Sequence, residues 1–218
     1  MKKINLFSIS IWSTILVVSV FFSVFILPVL PVEWHRWIFS VAFSIIYISA
    51  ILSLERRSKY LLTLFAINIS IEWISRILNF DLLNDISKAF DIVFFTVMII
   101  LLIKQIATTR DVTAGVILDS ITGYLLLGLI YSIFVTLIIK NFPDSYSNIP
   151  TDTINYAKHV NASIPLYYTF VTIASLGYGD ICPLTPLSRS LATVITVSGQ
   201  LYIATIVALL VGKFSSKS

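Results

Sequence analysis

Residues 169–180, with the sequence TFVTIASLGYGD, constrain the fold more than any other part of the chain. The apolar segment 163–174 ends abruptly in Ser-Leu-Gly-Tyr-Gly-Asp, and long hydrophobic stretches lie on both sides of it. A membrane-spanning helix needs roughly 20 apolar residues, so this segment is too short to cross a bilayer. We expect a half-helix that enters the membrane and returns as a loop. Such a loop is tolerated only where it is buried in protein or lines a watery cavity.

Two glycines at alternate positions, Gly177 and Gly179, suit an unusual backbone. Successive carbonyls of an ordinary strand alternate in direction, and aiming several of them the same way requires backbone regions that only glycine enters cheaply. Four copies of such a loop around one axis would make stacked rings of oxygens that replace the hydration shell of a monovalent cation. Gly-Tyr-Gly alone would be read as an ordinary turn, and the hydrophobic flanks are what favour a pore.

The sequence Ser-Leu-Gly-Tyr-Gly-Asp at residues 175–180 resembles the selectivity filter of the potassium channels, whose usual form is Thr-Val-Gly-Tyr-Gly. The resemblance extends over residues 115–214 and implies a filter loop that ends with Gly179 and has Asp180 at its outer mouth. It further implies that the Ser175 hydroxyl completes the innermost ion site. The backbone carbonyls that would bind K⁺ belong to Ser175, Leu176, Gly177 and Tyr178.

The resemblance also assigns supporting roles to residues outside the loop. It implies that Tyr167, Tyr168 and Thr172 brace the filter, with the tyrosine hydroxyls directed toward Tyr178. Gly199 matches the position where the family's inner helix bends, and close packing against a neighbouring helix would explain this glycine equally well. One loop per chain requires four chains for one pore. The implied assembly is a homotetramer with K⁺ as the permeant ion and no cofactor.

Two filter positions depart from the usual pattern of the family. Ser175 replaces threonine and keeps the hydroxyl, whereas Leu176 replaces valine with a bulkier side chain. A shifted filter would select weakly between cations, so a weakly selective monovalent cation channel is the first alternative. The second alternative is a membrane scaffold subunit that does not conduct. We expect no enzyme, because no HExxH or GxSxG motif occurs in the sequence.

Composition indicates an integral membrane protein that lies in a lipid bilayer. Of the 218 residues, 57% are hydrophobic and 12% are charged, whereas soluble domains carry about 25% charged residues. The formal net charge of +4 does not indicate nucleic acid binding, because the basic residues form short clusters between apolar stretches. Such clusters are typical of cytoplasmic loops that face anionic lipid. With both termini cytoplasmic, the filter loop opens outward, and the plasma membrane is the expected location.

The fold class that we predict is an all-α membrane protein with six transmembrane helices, a re-entrant pore helix and filter loop, and a tetrameric pore. Residues 1–111 form a four-helix transmembrane domain, and residues 112–218 form the pore domain. The first span is expected to be a retained helix and not a signal peptide. Residues 33–37 are interpreted as a link and residues 81–85 as an outer turn. The predicted spans are residues 8–30, 37–54, 60–80, 86–107, 115–140 and 187–211, with the pore helix at 163–174.

The first four spans carry few charges, and their pattern does not indicate a voltage sensor. A voltage-sensing fourth helix has a series of basic residues, and no lysine or arginine occurs at residues 89–103. We therefore expect gating by another stimulus, with no ligand-binding domain after the last span. Glu72 and Arg76 are four residues apart and can pair on one helix face. With Asp91 they suit either a structural ion network or a pH or ligand sensor.

Overall fold

The computed structural model describes residues 11–30, 32–53, 59–78, 81–109, 112–149 and 162–215. This part of the chain is almost entirely helical, and its seven α-helices are numbered in chain order. The bounds of the helices are α1 Ile11–Phe21, α2 Val32–Ser53, α3 Lys59–Leu78, α4 Asp81–Thr108, α5 Ala114–Asn141, α6 Ser163–Ile173 and α7 Pro186–Ser215. Backbone contacts divide the chain into two units, Leu127–Thr205 and the remainder (Met1–Leu126 with Ile206–Ser218).

Four of the described helical segments are long and apolar enough to cross a membrane. They are Ile11–Val29, Ile86–Thr108, Ala114–Asn141 and Pro186–Ser215. In addition, α2 and α3 occur where the second and third spans are predicted, and they contain shorter apolar stretches. The α6 helix is shorter than any of these. The all-helical architecture and the four long apolar helices are those of a membrane protein.

Two segments that the sequence suggests to be connections are helical in the structure. The predicted link at residues 33–37 lies within α2, which begins at Val32. The predicted acidic turn at residues 81–85 forms the start of α4, which begins at Asp81. Acidic residues in a first helical turn are stabilised by the positive end of the helix dipole, which explains why these residues extend a helix.

Proline and threonine residues set the ends of several helices. Near Pro28, α1 continues as a wider π-helical turn at Phe22–Ile26 and a 3₁₀ turn at Leu27–Val29, because proline lacks the N–H that a regular α-helix requires. The α5 helix begins after Thr113, whose hydroxyl accepts a hydrogen bond from the N–H of Val116. This is the N-cap geometry found at the start of many helices.

Side-chain hydrogen bonds fix the start of α7. The Thr185 hydroxyl accepts from the Ser188 N–H at 3.3 Å, and the Ser188 hydroxyl accepts from the Thr185 N–H at 3.1 Å. This reciprocal pair resembles a capping box, and Pro186 occupies the first helical position, where its missing N–H costs nothing. The Ser188 hydroxyl also donates to the carbonyl of Ser145 at 2.8 Å. The beginning of α7 is therefore tied to the loop after α5.

The other unit contains a buried polar cluster that joins α2, α3 and α4. Asp91 accepts hydrogen bonds from the hydroxyl of Tyr47 and from Asn68 Nδ2, the second at 3.0 Å. Glu72 accepts from the hydroxyl of Ser40 at 2.8 Å. Glu72 and Asp91 are both at least 95% buried, so burial and partners fit a structural role. The side chain of Arg76, the predicted partner of Glu72, lies outside the described residues.

Candidate functional site

The short helix α6 ends in a left-handed turn at Ser175. The N–H of Ser175 donates to the carbonyl of Thr172 at 3.0 Å, and the N–H of Leu176 donates to the carbonyl of Val171 at 2.9 Å. These two bonds form a Schellman motif, in which the residue after the cap adopts a left-handed conformation and is usually glycine. Here that residue is Ser175, with φ of +58°. A serine in this conformation is sparsely populated and must be held by its surroundings.

The backbone alternates in handedness from Ser175 to Gly179. Gly177 and Gly179 have φ of +56° and +79°. Among the described residues, the non-glycine residues with positive φ are Ser175 and Asn148, so Leu176 and Tyr178 have negative φ. Residues 175, 177 and 179 are therefore left-handed, and the two residues between them are not. This is the alternation that a loop needs if it is to point successive carbonyls to one side.

The hydrogen bonds of the loop fix the direction of its first carbonyls. The N–H groups of Ser175, Leu176 and Gly177 all donate back to the end of α6, the last one to the carbonyl of Val171 at 3.4 Å. The N–H and C=O of a trans peptide point in opposite directions, and none of the described peptides is cis. The carbonyls of Ala174, Ser175 and Leu176 therefore point together, away from α6.

The loop is exposed throughout in the single chain. All residues from 174 to 180 are exposed, and the side chains of Leu176 and Tyr178 are 56% and 66% exposed. The loop therefore has an open side in the single chain. An exposed row of carbonyl oxygens is a group of hard ligands suited to a monovalent or divalent cation of the hard class.

The inner end of the loop lies beside the middle of α7. The side chain of Gln200, halfway along this 30-residue helix, donates a 2.9 Å hydrogen bond from Nε2 to the hydroxyl of Ser175. Gly199 packs against the last residue of α6, and a Cβ atom at Gly199 would lie 2.7 Å from the carbonyl oxygen of Ile173. Thr196 donates to the carbonyl of Thr172 at 3.4 Å. The stretch of α7 from Thr196 to Gln200, little more than one helical turn, thus contacts the end of α6 and the base of the loop.

The outer end of the loop is held by two hydrogen bonds to Asp180. The hydroxyl of Tyr167 donates to Asp180 Oδ2 at 2.5 Å, and Asn148 Nδ2 donates to the backbone carbonyl of Asp180 at 2.7 Å. The bond from Tyr167 lowers the pKa of Asp180, because it stabilises the carboxylate. Both partners lie at the surface, so Asp180 presents a fixed negative charge next to Gly179.

The residues that follow α5 support the segment after the loop. Tyr146 and Pro183 form an isolated antiparallel bridge. The N–H of Ser147 donates to the carbonyl of Cys182 at 2.9 Å, and the Cys182 N–H donates to the hydroxyl of Ser147 at 3.0 Å. The ring of Tyr146 also packs edge-on against Tyr168, with ring centroids 4.9 Å apart. The outer segment therefore connects the loop to the buried face of α6.

The three residues that the sequence assigns to filter support lie on α6, in different settings. The Tyr167 hydroxyl donates a hydrogen bond to Asp180 of the same chain. The described contacts of this hydroxyl do not include the predicted hydrogen bond to Tyr178. Tyr168 is 5% exposed and packs on Tyr146. The Thr172 hydroxyl donates to the Tyr168 carbonyl at 2.7 Å, and its own carbonyl accepts from Ser175.

Sequence reasoning did not assign two parts of this site to the loop. Gln200 is separated from Ser175 by 25 residues, and its polarity within an apolar helix was the signal that could have found it. The segment from Ser145 to Asn148 is the second, and no motif marks it in the sequence. Gly199 and Ile173 lie in direct contact, which supports the close-packing explanation for this glycine and leaves bending untested.

Comparison with known families found a match to the part of the chain that contains the loop. A family model described as "Ion channel" matches residues 121–216, which include α6, the loop and α7. No curated protein and no solved structure matched the chain. The matched region and the all-helical membrane architecture support an ion channel function for this chain.

Proposed function

We propose that this protein is a potassium-selective channel that conducts K⁺ passively through a pore made by four copies of the chain. The observation that carries the proposal is that the carbonyls of Ala174, Ser175 and Leu176 all point away from α6. They belong to a loop in which every second residue from 175 to 179 has a left-handed backbone. Four such loops around an axis would supply rings of oxygen in place of the water around K⁺. In this pore, K⁺ binds the carbonyls of residues 175–178, with the Ser175 hydroxyl at the innermost site.

The exposure of the loop supports assembly into a tetramer. Irregular backbone at membrane depth cannot face lipid, because its polar groups would lack hydrogen-bond partners. The Gln200 contact brings the inner end of the loop level with the middle of a helix about 45 Å long. A single chain would leave this backbone against hydrocarbon, whereas four chains enclose it around water and ions. In addition, only 22% of the most apolar 18-residue stretch of α7 is buried within the chain, whereas 50% of the corresponding stretch of α5 is buried. The α7 helix therefore has a face available for other copies.

The first four helices complete a six-span subunit in this proposal. With both termini in the cytoplasm, the outer loops and the filter mouth face the outside of the cell membrane. Since α4 has no basic residue between positions 89 and 103, moving it through the membrane field would transfer little charge. The channel is therefore gated by a stimulus other than voltage acting on that helix.

Reconstitution into lipid vesicles tests the proposal directly. With K⁺ concentrated on one side and Na⁺ on the other, the purified tetramer should drive the membrane potential toward the K⁺ equilibrium value. Equal Na⁺ permeation would favour the weakly selective cation channel, for which the larger Leu176 side chain is the specific argument. Stable tetramers without any ion flux would instead favour a scaffold subunit and would overturn the proposal.

A further inference from the structure

The contact between α7 and the base of the loop involves an unusual pair. Ser175 has a left-handed backbone with φ of +58°, a conformation that glycine or asparagine normally occupies in this motif. Its side-chain oxygen accepts a hydrogen bond from Gln200 Nε2 at 2.9 Å. Both residues are exposed in the single chain. The bond therefore lies on the open side of the loop, next to the carbonyls that point away from α6.

The chemistry of the hydroxyl determines what this bond does. A serine hydroxyl has one hydrogen to donate and two lone pairs. When the Gln200 amide occupies one lone pair, it fixes the side-chain rotamer of Ser175 and leaves the second lone pair for another partner. The hydroxyl hydrogen must then point away from Gln200, so the oxygen can turn its remaining lone pair toward a cation.

We propose that Gln200 is a positioning residue for the innermost cation site, where it holds the Ser175 hydroxyl as an oxygen ligand to K⁺. This inference rests on the proposed channel function and adds a residue of α7 to the filter itself. It also gives Gln200 a reason to lie within an apolar helix. Its amide is the group on α7 that connects the helix to the loop side chain, next to the tight backbone contact at Gly199.

Replacement of the amide tests the proposal. Gln200→Leu keeps a side chain of similar size and removes the donor. A hydrogen bond contributes about 0.5–1.5 kcal/mol, so we expect the K⁺ over Na⁺ permeability ratio to fall roughly two- to tenfold. Ser198→Ala is the matched control, because it removes a hydroxyl of the same helix that bonds the Ile195 carbonyl at 3.1 Å. This control should keep the wild-type ratio.

A double-mutant cycle separates positioning from a general packing role. If Gln200 acts through the hydroxyl, then Gln200→Leu should have little further effect in a Ser175→Ala channel. Additive losses in the two backgrounds would mean that Gln200 acts elsewhere and would overturn the inference. If Gln200→Leu does not assemble, Gln200→Asn serves instead, because its shorter side chain also breaks the contact and should lower the ratio.

The failure of this inference is distinguishable from failure of the proposed function. A wild-type protein that does not select K⁺ contradicts the channel proposal, whatever the variants do. A wild-type channel that selects K⁺, together with a Gln200→Leu or Gln200→Asn channel of unchanged selectivity, contradicts the role of Gln200 alone.

Discussion

The hydroxyl of Tyr167 lies 2.5 Å from Oδ2 of Asp180 and donates a hydrogen bond to it. The bond joins α6 to the residue that follows the last glycine of the loop. Neither group is buried, so the bond acts in a solvated environment. Its effect there is to lower the pKa of Asp180. It fixes the position of a carboxylate at the outer end of the loop.

Loss of this bond should change the acid titration of Asp180. Its pKa is lowered in the folded protein, so the bond stabilises the structure above the ordinary aspartate pKa and is lost as pH falls through the lowered value. Tyr167→Phe should therefore raise the pKa of Asp180. Carboxyl-carbon NMR of labelled Asp180 measures this shift. An unchanged titration in Tyr167→Phe would contradict the assigned bond.

Tyr146→Phe removes a hydroxyl that makes no hydrogen bond among the described residues. The Tyr146 side chain is 4% exposed, and its hydroxyl has no hydrogen-bond partner among the described residues. Burial raises the pKa of this phenol. Removing an unsatisfied buried hydroxyl is nearly neutral or stabilising, so the thermal unfolding midpoint should stay constant or rise. The same variant should leave the Asp180 titration unchanged, and a lowered midpoint would indicate a partner for the hydroxyl.

Gly199→Ala tests the packing of α7 against α6. A Cβ atom at this position would lie 2.5 Å from Ile173 Cγ1 and 2.7 Å from the Ile173 carbonyl oxygen. Backbone atoms cannot move aside as a flexible side chain can, so overpacking should cost about 1–3 kcal/mol per chain. The matched control is Gly212→Ala on the same helix, where a Cβ meets nothing within 4 Å. This control should be neutral or stabilising by up to about 1 kcal/mol. Equal unfolding midpoints for the two variants would exclude the tight contact.

Gly177→Ala tests the backbone of the loop instead of its packing. A Cβ at Gly177 has open space, but its φ is +56°, and an L-residue pays roughly 1–2 kcal/mol in this region. Four chains would bear this cost in one pore. We expect K⁺ flux to be lost or its selectivity to be reduced while the fold of α7 persists. Wild-type flux in Gly177→Ala vesicles would count strongly against the filter.

The sequence predicts the helices better than it predicts their connections. Continuous apolar stretches locate the long helices, because length and hydropathy are local properties. The link at residues 33–37 and the turn at residues 81–85 were wrong, since charged and aromatic residues continue α2 and α4 as helices. Glycine spacing indicated the left-handed positions 177 and 179, because the preference of glycine is also local.

The contacts that hold the loop could not be predicted from the sequence. The left-handed conformation of Ser175 follows from how α6 ends, and no glycine marks it. Gln200 and Ser147 reach their partners across 25 and 35 residues, and such distances depend on how the helices pack. The residues that form the loop were accessible to sequence reasoning, whereas those that position it required the structure.

The most direct test of the channel proposal is the ion density in an experimental structure of the protein in K⁺. We predict four chains around one axis, with density on that axis beside the carbonyls of Ser175, Leu176, Gly177 and Tyr178. A monomer, or an assembly in which Tyr178 faces lipid away from any symmetry axis, would contradict the account.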